Sequence, residues 1–254
     1  MKLHRFLIDK SLKQPLGEEL LIKESDLLHQ WNNVLKFKIG EKIALFDGQQ
    51  KYDFIYTIKD IKNKLSILTF DTKNKNISQK EELGEINLCI SLVKKDKMSL
   101  IIEKCTEIGV LNFISLVSDR TERKNIESFN PEKMEKISKE AVEQSKWGVS
   151  PSIDSPKKME KVIEDIKNKG EIEKIAILHT FDIKNSLNLE KNIEKIKELS
   201  IKYIFIGPEG GWSDKEVTFF EKNKLCFINF GKNILRTETS AIAASFLISI
   251  ISKK

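Results

Sequence analysis

Cysteine is scarce in this chain. Cys89, Cys105 and Cys226 are odd in number and scattered, and no Cys-x-x-Cys pair or neighbouring His spacing marks a metal site. No metal is expected, and the three read as buried thiols of a reducing compartment. Long hydrophobic runs are missing as well. The most apolar stretch, residues 241–251, is shorter than the roughly 20 residues a membrane span needs. No apolar signal region follows the charges near the N-terminus. The expectation is a cytoplasmic protein with no membrane partner. Arginine is the scarcest basic residue. Of 44 Lys and Arg only Arg5, Arg120, Arg123 and Arg236 are Arg. In a chain that uses Lys nearly everywhere, these four mark candidate positions for a planar, bidentate donor.

What is present is a chain of 254 residues, 40% hydrophobic, with a formal charge of +6. That length gives one large or two small domains with enough apolar residues for a proper core. The mild basicity suits an RNA partner, although a bias towards Lys, Ile and Asn accounts for it equally well. No internal repeat is evident.

Residues 1–72 are β-prone. Residues 3–8, 42–46, 52–61 and 65–70 read as strands, with a turn signal at Asp47-Gly48 and another at Asn63-Lys64. Five or six short strands in that length point to a small barrel. Between them Ser25 to Leu35 reads as a helix with Leu27, Leu28, Trp31, Val34 and Leu35 on one face. Residues 73–85 are polar and read as a linker. From 86 to 254 the pattern changes. Apolar runs at 86–92, 113–117, 175–178, 203–206 and 227–230 alternate with helical stripes at 98–108 and from Pro131. Strands alternating with helices make an α/β domain with a parallel sheet. Gly109 reads as the C-cap of the first of these helices.

Two segments stand out. Tyr203-Ile-Phe-Ile-Gly207-Pro-Glu209-Gly-Gly211-Trp is a buried strand that ends in a Gly loop. Ser213 and Glu216 form a capping box, so a helix opens there. Cys226-Phe-Ile-Asn-Phe-Gly231-Lys-Asn-Ile-Leu235-Arg236-Thr-Glu238-Thr-Ser240 is a second strand and Gly loop that opens an apolar helix. The first loop is neither a P-loop, since no Lys-Ser or Lys-Thr follows its glycines, nor GxGxxG. Both present backbone at the carboxyl ends of strands, where α/β sheets bind nucleotide-like ligands.

The pair of loops, in this order, resembles the bacterial ribosomal small-subunit uridine-N3 methyltransferases of the SPOUT class. Further matches are His4-Arg5-Phe6, Val34-Leu35-Lys36, Phe46-Asp47-Gly48, Lys95-Asp96-Lys97-Met98, Lys104 to Gly109 and Glu143-Gln144-Ser145. The family usually has Arg where Lys36 and Lys146 stand. The resemblance implies a PUA-like RNA-binding β-barrel followed by a SPOUT domain with a trefoil knot. It implies S-adenosylmethionine as cofactor and 16S ribosomal RNA of the small subunit as partner. On this reading the cofactor lies among Leu178, His179, Ile206, Gly207, Pro208, Glu209, Gly210, Gly211, Phe230, Gly231, Ile234, Leu235, Thr239 and Ser240. Arg5, Lys36, Lys95, Lys97 and Arg123 face the RNA.

Methylating N3 of uridine requires loss of the imide proton, a positioned base and charge compensation. Arg120 and Arg236 are the candidate cations at the reacting centre. Glu209 and Glu238 are the nearest carboxylates, with Glu238 also suited to the first turn of a helix. Helix 241–251 is apolar nearly all round, which points to a homodimer. Two other classes fit the same loops: a SPOUT enzyme acting on a ribose 2′-hydroxyl or on tRNA, and a non-catalytic RNA-binding protein.

Overall fold

The computed structural model describes residues 3–8, 18–48, 52–62, 64–75, 85–145, 148–180, 186–188 and 191–251. Lys146 and most of the expected linker lie outside them. The chain divides into two compact units, one of residues 1–78 with 142–150, the other of residues 79–141 with 151–254.

The first unit holds β1 (His4–Leu7), β2 (Glu19–Ile22), α1 (Ser25–His29), a π-helical turn (Gln30–Val34), β3 (Lys42–Phe46), β4 (Tyr52–Lys62) and β5 (Leu65–Lys75). Its sheet has the order β1-β3-β4-β5-β2 and is mixed, because β1 runs parallel to β3. Register shifts between Ile55 and Tyr56 and between Ile58 and Asp60 bend the long β4–β5 hairpin into a barrel-like curve. Phe6, Trp31, Ile43, Leu45, Tyr56 and Leu68 fill its interior. The helix expected from Ser25 to Leu35 forms, but its second half winds as a π-helix. The wider turn rotates the later side chains, so Val34, expected inward, is 64% exposed. β5 continues to Lys75, three residues past the expected end of the barrel.

The second unit begins with β6 (Asn87–Ser91), α2 (Lys95–Ile108), β7 (Asn112–Val117), α3 (Arg123–Glu127), α4 (Pro131–Ser145, whose last turn falls in the first unit), β8 (Ser152–Ile153), β9 (Lys157–Lys158) and α5 (Met159–Asn168). It continues through β10 (Ile175–Leu178), β11 (Leu187–Asn188), α6 (Ile193–Glu198), β12 (Tyr203–Ile206), α7 (Asp214–Lys222), β13 (Cys226–Asn229) and α8 (Thr237–Ile251). The sheet order is β11-β13-β10-β12-β6-β7-β8, with β9 also on β7, and every pairing is parallel.

Alternation along the strands sorts the core into two layers. Ile204 and Ile206 of β12, with Leu88 and Ile90 of β6, pack on Ile101, Ile102, Ala241, Ala244 and Ile248 of α2 and α8. Tyr203 and Phe205 turn to the other face, where Val162, Ile163 and Phe220 of α5 and α7 cover them. Strands buried on both faces read as continuous apolar runs, which is why β12 is apolar throughout. Gly109 ends α2 at φ 104°, a left-handed conformation that favours glycine. From β13 the chain crosses back against β12, β6 and α2 as α8, the crossing at which the resemblance implies a knot.

α8 is not covered all round. Ala241, Ala244 and Ile248 are buried, while Phe246 is 53% and Ile250 47% exposed. Cys89 and Cys105 are buried and Cys226 is half-buried, and burial raises all three thiols, Cys105 to about 12. Among the described residues no helix is long and apolar enough to cross a membrane.

Candidate cofactor site

The carboxyl ends of β6, β7, β10, β12 and β13 meet at a cavity of about 670 Å³. It lies beside the switch between β12 and β6, where the strand order reverses. Its wall includes Leu178, His179 and Thr180, the whole of Gly207–Trp212, and Phe230, Gly231, Ile234, Leu235, Arg236, Thr237 and Ser240. The sequence reading places most of its cofactor residues here. Thr239 is the exception: it is exposed and does not line the cavity, because on α8 it turns away while Thr237 and Ser240 face in.

The first loop is a tight turn. The Gly211 amide donates to the Pro208 carbonyl at 2.8 Å, with Gly211 at φ 68°. Trp212 folds back beneath it, and its Nε1 donates to the Leu178 carbonyl at 3.0 Å, joining the ends of β10 and β12. A Cβ on Gly207 would lie 3.1 Å from the Trp212 ring, so this glycine makes room for the tryptophan. The expected capping box is present: Ser213 Oγ accepts from the Glu216 amide and Glu216 Oε2 accepts from the Ser213 amide. Glu216 is buried, and its other oxygen accepts from the Asp119 amide at 3.0 Å. Ser213 Oγ donates to Asp119 Oδ2 at 2.6 Å. One buried carboxylate thus ties the loop after β7 to the loop after β12.

That tie carries Arg120 onto the first loop. Arg120 Nη1 donates to the Gly210 carbonyl at 2.7 Å, and its Cδ lies 3.4 Å from where a Cβ on Gly210 would stand. Arg120 therefore lines the cavity, although its sequence neighbourhood lacks a Gly loop. Arg236 lines it from the second loop, is exposed, and has no ion-pair partner among the described residues. Glu238 pairs with Lys97 and not with Arg236: Lys97 Nζ lies 3.3 Å from Glu238 Oε2 and 2.7 Å from Glu209 Oε1. The bond to Glu209 raises the Lys97 pKa, helped by Glu238 against some desolvation. Glu209 and Lys97 line the cavity, whereas Glu238 stands behind Lys97.

In the second loop Gly231, at φ 90°, donates to Asn229 Oδ1 at 3.0 Å, which also accepts from Asn188 Nδ2 at 3.1 Å. Beyond it Ile234 is 71% exposed, an apolar side chain standing open on a cavity wall. His179 packs edge-on to Phe227 with ring centroids 6.2 Å apart.

The RNA-facing candidates separate. Lys36, at φ 53°, and Lys95 are exposed. Arg123 is exposed and pairs with Glu127 one helical turn on. Arg5 corrects the reading. It is buried in the barrel, donates from Nε and Nη2 to the two Asp53 oxygens at 2.6 and 2.8 Å, and lies 4.4 Å over the Phe46 ring. Its planar fork is used, as its scarcity implies, but on a carboxylate inside the fold, so it is not available to phosphate.

The cavity suits an adenosyl ligand. Its volume is in the range of small-molecule sites. Leu178, Ile206, Ile234 and Leu235 offer apolar surface, and at Gly211 a Cβ would meet nothing within 4 Å, so the turn leaves open space. A parallel sheet with Gly loops at its switch point is the class of protein that holds a nucleotide-like cofactor. Comparison with known proteins makes the class particular. A family model described as an RNA methyltransferase domain matches residues 79–249. Ribosomal RNA small subunit methyltransferase E of Buchnera aphidicola subsp. Acyrthosiphon pisum is 30% identical over 219 residues, 85% of this chain and 82% of that protein. Its counterpart in Rickettsia conorii is 28% identical over 246 residues, 96% of this chain and 94% of that protein. The chain belongs to the RNA methyltransferase family, and within it to that of ribosomal RNA small subunit methyltransferase E. The same fold is seen in the Neisseria gonorrhoeae enzyme of that name bound to S-adenosyl methionine, at TM-score 0.78 and 20% identity over 96% of this chain and 95% of that one. A putative Legionella pneumophila methyltransferase in complex with SAM matches at TM-score 0.80 and 21% identity, over 98% of each chain.

Proposed function

We propose that this chain methylates N3 of a uridine in 16S ribosomal RNA of the small subunit, with S-adenosylmethionine as donor. The observation that carries the reading is the single cavity built by both Gly loops in a chain of this family. When bound, S-adenosylmethionine supplies an electrophilic methyl group. The residues of the chain then have separable tasks. Leu178, Ile206, Phe230 and Leu235 keep water from the reacting centre, and the Gly207–Gly211 turn lets the ligand approach backbone. Arg120 and Arg236 offer guanidinium groups to the negative charge that develops as uracil loses its imide proton. Of the two candidate carboxylates Glu209 lines the cavity and is the one placed to take that proton, whereas Glu238 lies outside the lining, paired with Lys97. Lys36, Lys95 and Arg123 are exposed cations for the RNA backbone. The substrate is the assembled small subunit in the cytoplasm.

The active form in this proposal is a homodimer. Phe246 and Ile250 of α8 and Leu100 of α2 are exposed apolar residues on two helices that pack together, and a second copy would cover them. The test of function is transfer of labelled methyl from S-adenosylmethionine to small subunits that lack the modification. Labelled 16S RNA is the expected product; label in tRNA alone would reject the substrate assignment.

A further inference from the structure

We propose that Lys97 is a positioning residue that fastens the two halves of the cofactor cradle together, joining Glu209 of the first Gly loop to Glu238 at the start of α8. The inference rests on the S-adenosylmethionine reading of the cavity. Lys97 sits in the first turn of α2, after β6; Glu209 follows β12; Glu238 follows β13. These are three different strand ends of the sheet, and one ammonium meets both carboxylates, at 2.7 and 3.3 Å.

The link is half-buried at Lys97 and Glu209, whose side chain is 34% exposed, and closed at Glu238. The Glu238 side chain is 13% exposed and Lys97 28%. Among the described residues Glu238 Oε2 is buried and accepts no hydrogen bond, and the Lys97 ammonium 3.3 Å away is its ion-pair partner. Removing the cation would leave a largely buried carboxylate uncompensated beside a second one, which is strongly unfavourable. A lysine serving RNA phosphate would be expected to keep its ammonium in solvent, as Lys95 in the same turn does: it is exposed and, among the described residues, without an ion pair. Lys97 is committed inward. The second loop has need of such a fastening, because Lys232, Asn233 and Ile234 are all exposed. Its position is set by the anchor at Asn229 before it and by the first turn of α8 after it. Without Lys97 the two carboxylates repel, and the loops that carry them move apart.

The experiment uses Lys97→Met, which keeps length and loses charge, beside Lys97→Arg, Glu209→Gln and the double variant Lys97→Met/Glu209→Gln. Binding of S-adenosylhomocysteine is read by calorimetry and binding of 16S RNA by gel shift, with circular dichroism as the check on folding. Lys97→Met should bind S-adenosylhomocysteine about tenfold more weakly with RNA affinity unchanged, as expected for one charge-assisted contact. Lys97→Arg should restore most of the loss. The double variant should lose less than the product of the two single losses. A Lys97→Met protein that binds S-adenosylhomocysteine as tightly as wild type but has lost RNA affinity would overturn the proposal. So would strictly multiplicative losses in the double variant. Wild-type protein that binds no S-adenosylhomocysteine would overturn the cofactor reading and this proposal with it, a result distinct from either.

Discussion

Arg120 reaches across from the loop after β7 and donates to the Gly210 carbonyl at 2.7 Å. The residues are 90 apart in sequence, and the contact exists because β12, β6 and β7 are neighbours in the sheet. The buried Glu216 and the Ser213–Asp119 bond fix the two loops against each other, so the guanidinium is held at the cavity wall. Arg120 therefore packs on the first Gly loop, a contact that its own sequence neighbourhood, which lacks a Gly loop, does not announce.

Arg120→Lys should accordingly lower both cofactor affinity and turnover. Lysine keeps the charge but loses the planar fork and its packing on Gly210. Losing one charge-assisted bond costs on the order of 1.5–3 kcal/mol, or roughly tenfold to a hundredfold. Calorimetry with S-adenosylmethionine beside a methyl-transfer assay measures both. Unchanged cofactor affinity with reduced turnover would place Arg120 with the substrate and not with the cofactor loop.

The glycines of the first loop should differ in how they fail. Gly207→Ala places a methyl 3.1 Å from the rigid Trp212 ring and should destabilise the fold by about 1–3 kcal/mol. Gly210→Val meets the flexible Arg120 side chain at 3.4 Å, so the fold should hold while cofactor binding falls. Urea unfolding separates the two effects. Equal stability of both variants would contradict the packing account.

How far the sequence goes is clear from particular residues. Continuous apolar runs identify β6, β7, β10, β12 and β13, and the Ser213–Glu216 pair marks the start of α7, because these signals are local. β2 is short, and only Leu20 and Ile22 of its four residues are buried, too weak a pattern to stand out. α5 carries a legible stripe in Met159, Val162, Ile163 and Ile166, set in strongly charged surroundings. Contacts between distant segments are what the sequence does not show. Arg5 finds Asp53 forty-eight residues away, and nothing near Arg5 announces a buried partner. Trp212 directly follows the Gly loop in sequence, but its role as the floor beneath Gly207 appears only with the fold.

Stability should depend on pH through Glu171. Its carboxylate accepts from Lys202 at 2.8 Å, from the Tyr203 hydroxyl at 2.8 Å and from Lys174 at 3.0 Å, and these bonds, Lys202 first, lower its pKa to about 2. A depressed folded-state pKa stabilises the fold above the ordinary value of 4.5, and the contribution is lost as pH falls towards 2. With screening at this partly open site, the contribution is on the order of 1–2 kcal/mol. Glu171→Gln should thus cost stability at pH 7 and progressively less below about pH 4.5. A deficit in urea unfolding that is the same at pH 7 and pH 3 would contradict this.

The exposed face of α8 should determine assembly. Phe246→Glu alters a side chain that is 53% exposed in the single chain, so the fold should survive while a dimer dissociates. Light scattering at micromolar concentration reads the mass. A wild-type monomer would reject the dimer.

Methyl transfer to the base of a uridine is read most directly in the product RNA. Small subunits lacking the modification are incubated with the protein and S-adenosylmethionine, and the 16S RNA is digested to nucleosides for mass spectrometry. A single uridine should gain one methyl on the base, matching authentic 3-methyluridine. A methyl on the ribose fragment, or no modified uridine in RNA exposed to cofactor-bound protein, would contradict it.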